Sequence, residues 1–124
     1  MSDENVKGFV RNVLGCDCAE EVFSHIENEH DKSAAGIRLK NKINVGNRLL
    51  VYVVEPGDLA KEMPALIRAG KDERDARGFN RFRLVLASDD GGMKKRAFTM
   101  FKGLPGIDEK VHLHVLGKAE VEHL

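Results

Sequence analysis

Apolar residues at Val6, Phe9, Val10, Val13 and Leu14 recur at helical spacing and stop at Gly15, which predicts a first helix. Ala19, Val22, Phe23 and Ile26 repeat that spacing and predict a second. Glu20 and Glu21 then fall in its first turn, where the helix dipole favours carboxylates. Asn28 to Gly36 is polar and reads as a loop. Ile37, Leu39, Ile43 and Val45 alternate with polar residues, as on a half-buried strand. Gly46-Asn47 signals a hairpin turn, and Leu49 to Val54 is apolar on both faces, as in a central strand covered on both sides.

The second half repeats a strand–helix rhythm. Glu55-Pro56-Gly57-Asp58 breaks the central strand, and Asp58 is placed to cap a helix from Leu59. That helix carries Leu59, Met63, Leu66, Ile67 and Ala69, and Gly78 closes it. Pro64 inside it predicts a kink or a restart. Phe82, Leu84, Val85, Leu86 and Ala87 form a third strand. Met93, Ala97, Met100, Phe101 and Leu104 form a fourth helical stripe, ended by Pro105-Gly106. Val111, Leu113 and Val115 alternate as a last strand, with His112 and His114 on its other face.

This order predicts one α/β domain over residues 1–124. The sheet should be mixed and four-stranded: a hairpin at an antiparallel edge plus two strand–helix–strand units, preceded by two N-terminal helices. A length of 124 residues suits one domain of ordinary size, able to bury its own core. Twenty basic and twenty acidic side chains cancel, which removes the whole-molecule field expected of a nucleic-acid binder. Met-Ser-Asp-Glu-Asn has no secretory pattern, and no apolar run is long enough for a membrane span. The expectation is a cytoplasmic protein with no membrane partner.

Cys16-Asp17-Cys18 is the most pointed chemical feature. Two cysteines one residue apart do not make a disulfide framework, and in a reducing compartment they are thiols. Cys18 stands at the predicted start of the second helix, where the helix N-terminus lowers a thiol pKa. A disulfide between residues i and i+2 closes a small, strained ring, and strained disulfides are oxidising and readily reduced. That suits exchange chemistry or a redox switch better than a structural staple. The competing reading makes both thiols small buried apolar groups. For a metal, His25 shares a helical face with Cys18, but seven residues separate them by about 10 Å along the axis, too far for one zinc ion. His30, His112 and His114 would have to come from elsewhere in the fold.

The stretch Leu14-Gly15-Cys16-Asp17-Cys18-Ala19-Glu20-Glu21-Val22-Phe23 resembles a motif in small uncharacterised proteins of anaerobic archaea and bacteria, and Asn47-Arg48-Leu49-Leu50-Val51-Tyr52 is also similar to them. That family carries Pro where this chain has Ala19; Pro would fit a first helical turn. The resemblance implies that the Cys-x-Cys segment is a recurring element. It implies no activity.

A second candidate is the Ser88-Asp89-Asp90-Gly91-Gly92 loop, at the carboxyl end of a strand where α/β sheets tend to bind ligands. Gly91 and Gly92 could offer backbone N–H groups to an anion, with Lys94 and Lys95 beside them. Asp89 and Asp90 oppose a phosphate, and a tight turn with a solvated basic helix start explains the same residues. Arg74, Arg77, Arg81, Arg83 and Lys94 to Arg96 sketch a basic strip, but Asp72, Glu73 and Asp75 interrupt it and aromatic platforms are scarce. Nucleic acid is therefore not the expected partner. The residues favour a thiol-redox or metal-handling accessory protein acting through Cys16 and Cys18. The alternative is a non-catalytic binding or assembly module, pairing with another protein or with itself through a sheet edge. No motif specifies a cofactor.

Overall fold

The computed structural model describes residues 3–15, 20–105 and 107–124. Helix α1, Asp3–Gly8, runs on as a π-helical stretch, Phe9–Val13. A 3-10 turn at Glu20–Ser24 leads to strand β1, Ile26–His30. Strands β2, Ser33–Ala34, and β3, Ile37–Arg38, form a small separate hairpin. Then follow β4, Asn41–Val45, β5, Leu49–Val54, α2, Leu59–Arg77, β6, Arg81–Ala87, α3, Met93–Gly103, and β7, Val111–Leu116.

The main sheet has the order β1-β4-β5-β6-β7. The pairs β1–β4 and β4–β5 are antiparallel, and β5–β6 and β6–β7 are parallel. The mixed α/β sheet is thus as expected, but it has five strands, not four. The added strand is β1, where the sequence predicts the end of a helix and a loop. Ile26 supplies an apolar anchor, while the Asn28 and Glu27 side chains accept from Asn41 and Asn44 of β4. Polar cross-strand bonds do here what an alternating apolar stripe does elsewhere. The predicted pair of N-terminal helices is corrected as well. The first is a short α-helix with a π extension, and of the second only the 3-10 turn at Glu20–Ser24 is seen in the described residues. The predicted strand over Ile37 to Val45 is split, because Leu39 and Lys40 carry the chain from the small hairpin into the main sheet.

Local signals elsewhere hold. Gly46 and Asn47 have φ of +62° and +55°, and Arg48 N–H donates to Val45 C=O at 3.1 Å, as a left-handed hairpin turn requires. Asp58 caps α2 by accepting from Lys61 N–H, and Gly78 closes the helix at φ +73°. Helix α2 is continuous through Pro64, without a restart; a proline this near the N-terminus removes one helical hydrogen bond and leaves the long C-terminal part intact.

The sheet has two unlike faces. Leu50, Tyr52, Val54, Phe82, Leu84, Leu86 and Leu113 meet Met63, Leu66 and Ile67 of α2 and Ala97 of α3. On the other face, Ile43, Val51, Val53, Val85 and Ala87 are covered by Val6, Phe9, Val10 and Leu14 from the start of the chain. Val121 and Leu124, far along the chain, join the same cover. Both helices that follow strands therefore lie on one side, and the early and late segments close the other. Among the described residues, no helix is long and apolar enough to cross a membrane.

Candidate functional site

Strand alternation sends Phe82 and Leu84 to the α2 side, so Arg81 and Arg83 point to the other. The same rule on β7 sends Val111 and Leu113 one way and His112 and His114 the other. Parallel pairing sets Arg83 opposite His112. The arginines reach diagonally: Arg83 Nη1 lies 2.8 Å from His114 Nε2, and Arg81 Nη1 lies 3.4 Å from His112 Nε2. Two Arg–His pairs thus stand side by side near the amino ends of β6 and β7.

The chemistry of these pairs is directional. A guanidinium only donates, so the His114 Nε2 it meets is an acceptor and the ring proton sits on Nδ1. Burial, then Arg83, then His112 push the His114 pKa down to about 4. Burial and the two arginines also lower His112, against a smaller opposing pull from Asp108. Both imidazoles are therefore neutral near pH 7, and the positive charge of the cluster rests on the guanidiniums.

Arg83 is half-buried and carries no carboxylate partner among the described residues. Its Nη1 also donates to the Leu14 carbonyl at 3.2 Å, and its Nε is buried without an acceptor. Burial, followed by repulsion from Arg81, lowers its pKa. Four other arginines are paired differently. Arg74 grips Asp108 with two bonds of 3.0 and 2.8 Å. Arg77 pairs with Glu73, Arg96 with Asp90, and Arg38 with Asp31. These pairings break up the basic strip drawn from the sequence and leave Arg81 and Arg83 as a separate cationic pair.

The remaining sequence candidates are scattered. Cys16 and Cys18 lie outside the described residues. The chain that leads to them is fixed at Leu14, by the Arg83 bond and by burial against Phe9 and Val10. In the Asp89–Arg96 loop, Asp90 accepts from the Gly92 N–H at 2.9 Å and from Arg96 at 2.7 Å, and Asp89 accepts from the Lys118 N–H. The loop's own carboxylates thus occupy donors that an anion would need at Gly92. Gly91, Lys94 and Lys95 are exposed. His25 faces Glu27, and His30 meets the Leu124 carbonyl at 3.1 Å, so neither approaches His112 or His114. Among the described residues, no three His, Cys, Asp or Glu side chains gather as a metal site would need.

Arg81/Arg83 and His112/His114 do carry a signal in the sequence. Each is a polar pair at i and i+2 on a strand that is otherwise apolar. What joins them is the parallel β6–β7 register, which no local pattern contains. Comparisons with protein-family models, curated proteins and solved structures give no match for this chain.

Proposed function

We propose that the protein is a thiol-active accessory protein working through Cys16 and Cys18, with Arg83 setting the electrostatics of the segment that bears them. One observation carries this reading: the residue two before Cys16 is bonded to a half-buried guanidinium that has no carboxylate partner among the described residues. A nearby cation favours thiolate over thiol, and the thiolate is the nucleophile. In exchange, Cys18 thiolate attacks one sulfur of a substrate disulfide and expels the other as thiolate. Cys16 thiolate then attacks the mixed disulfide and releases the second substrate thiolate. Two electrons pass to the substrate, and Cys16 and Cys18 are left as a disulfide. The same thiolates would serve as soft ligands in metal transfer.

Alkylation rate against pH tests this in the native protein. The wild-type midpoint should lie below that of a free cysteine, and Arg83→Gln should raise it by about one pH unit. Arg83→Lys, which keeps the charge, should restore most of the effect. Thiols that react only after unfolding, or a midpoint that ignores Arg83→Gln in a folded protein, would end the proposal.

A second reading is favoured by the free side of β7. Val111 to Leu116 is an edge strand with no proline, lysine or carboxylate to discourage pairing. Antiparallel addition of the same strand from a second copy would join two sheets about a two-fold axis. Light scattering after size exclusion should then give twice the chain mass, and Leu113→Pro should return it to one chain mass. A wild-type protein that elutes at one chain mass across the accessible concentration range removes this reading.

A further inference from the structure

We propose that the Arg81–His112 and Arg83–His114 pairs form an oxyanion site that takes the phosphate group of a small molecule. The inference does not depend on the cysteines being reactive.

Three observations point to an anion. Two guanidiniums stand on one face of β6, and neither has a carboxylate partner among the described residues, whereas Arg38, Arg74, Arg77 and Arg96 each have one. Arg83 combines partial burial with an Nε that has no acceptor, and no carboxylate among the described residues compensates its charge. Its Nη1 does have acceptors, the Leu14 carbonyl and His114 Nε2, but both are neutral. Finally, each imidazole turns its Nε2 lone pair to an arginine, which leaves Nδ1–H as a donor. Among the described residues the cluster offers donors and positive charge and holds no carboxylate; Asp108, which acts on His112 from outside it, is gripped by Arg74.

The ligand class follows from this inventory. Guanidiniums match the geometry of phosphate oxygens and bind them through paired N–H groups. Two of them, two residues apart on one strand face, match a dianion better than a monocarboxylate. Arg81 is exposed and Arg83 is half-buried. The exposed end offers the way in, and the covered end supplies the less screened charge.

Proton–nitrogen NMR of the imidazole side chains gives a direct test, with inorganic phosphate, glycerol 3-phosphate, acetate and chloride added at matched ionic strength. Phosphate or its ester should shift the His112 and His114 signals saturably at millimolar concentration and leave His25 unmoved. Tighter binding of the ester assigns a phosphorylated metabolite, and tighter binding of phosphate assigns the free ion; either supports the site. Arg81→Gln should weaken binding about tenfold, the loss of one charge-assisted bond of about 1.4 kcal/mol. Arg83→Gln should weaken it further where it folds. Arg96→Gln, whose arginine already faces Asp90, should bind as the wild type. The Cys16→Ser/Cys18→Ser variant should still bind phosphate saturably, and loss of its binding would overturn the separation of this site from the thiol chemistry. Equal shifts with chloride, no saturable shift with either phosphate, or full binding by Arg81→Gln would overturn the proposal.

Discussion

Glu73→Ala is expected to lower the unfolding free energy by about 2–3 kcal/mol, less than for a fully buried ion pair because this network is only partly buried. One carboxylate oxygen of Glu73 accepts from the Tyr52 hydroxyl at 2.6 Å. The other meets Lys42 Nζ at 2.6 Å and Arg77 Nη1 at 3.0 Å. With side-chain exposures of 18% for Glu73 and 22% for Lys42, water screens this pair weakly. The bonds tie α2 to β4 and β5. Alanine leaves the hydroxyl of Tyr52, a buried residue, without its acceptor, and leaves the partly buried Lys42 without that carboxylate. Glu73→Gln retains an acceptor and should lose less. Urea midpoints for the three proteins, read with an unchanged m-value, check the order.

The same group has a pH signature. Burial alone would raise the Glu73 pKa, but bonds from Lys42, Tyr52 and Arg77 outweigh it and hold the pKa below its ordinary 4.5. The unfolded chain then binds the proton more readily than the folded one. Stability from this group is complete above 4.5 and is lost as pH falls through the depressed folded value. Glu73→Ala should therefore flatten the acid limb of a stability–pH curve. An acid limb as steep as that of the wild type would show that the network contributes little.

Gly70→Ala is expected to destabilise the fold by about 2 kcal/mol, although alanine is the better helix former by about 1 kcal/mol. A β-carbon at residue 70 would stand 2.1 to 2.4 Å from three atoms of the Phe82 ring. That ring is fully buried and packs edge-on against Tyr52, with centroids 4.9 Å apart. Either the ring or α2 must shift to make room. Phe82→Leu in the same chain should relieve the contact, and the double variant should be more stable than the sum of the two single changes predicts. Thermal unfolding of all four proteins measures the coupling, and strict additivity would mean that helix and ring adjust independently.

The sequence makes the β5-to-β7 half legible because each element there carries its own signal. Leu49 to Val54 is apolar on both faces, Asp58 and Gly78 bracket α2, and Val111, Leu113 and Val115 alternate. The region from Glu20 to Leu39 is different. Val22, Phe23 and Ile26 have helical spacing, yet Phe23 packs beneath the Arg11 guanidinium, 4.8 Å from its ring centroid, while Ile26 pairs with Val45 of β4. Those contacts come from distant parts of the chain and override a weak local preference. Strand β1 is hidden for a related reason: Glu27, Asn28 and Glu29 carry no apolar alternation, and side-chain amides of β4 hold the strand in place. The candidate site is half legible in the same sense. Alternation puts His112 and His114 on one face, as the sequence implies, but their meeting with Arg81 and Arg83 depends on strand order.

The cover over the Val51–Val85–Ala87 face joins segments from opposite ends of the sequence. Asn5 reaches the His123 carbonyl at 3.4 Å, and Lys40 donates to the Val121 carbonyl at 2.9 Å. A ribosome makes Val6, Phe9 and Val10 long before Val121 and Leu124. While the polypeptide emerges, the parallel half of the sheet and its two helices can assemble from contacts close in sequence. The early part of the opposite cover, Val6, Phe9, Val10 and Leu14, is available throughout, but the cover is complete only when Val121 and Leu124 have left the exit tunnel. Until then the part of this face that Val121 and Leu124 cover stays open, and transiently open apolar surface is prone to intermolecular sticking.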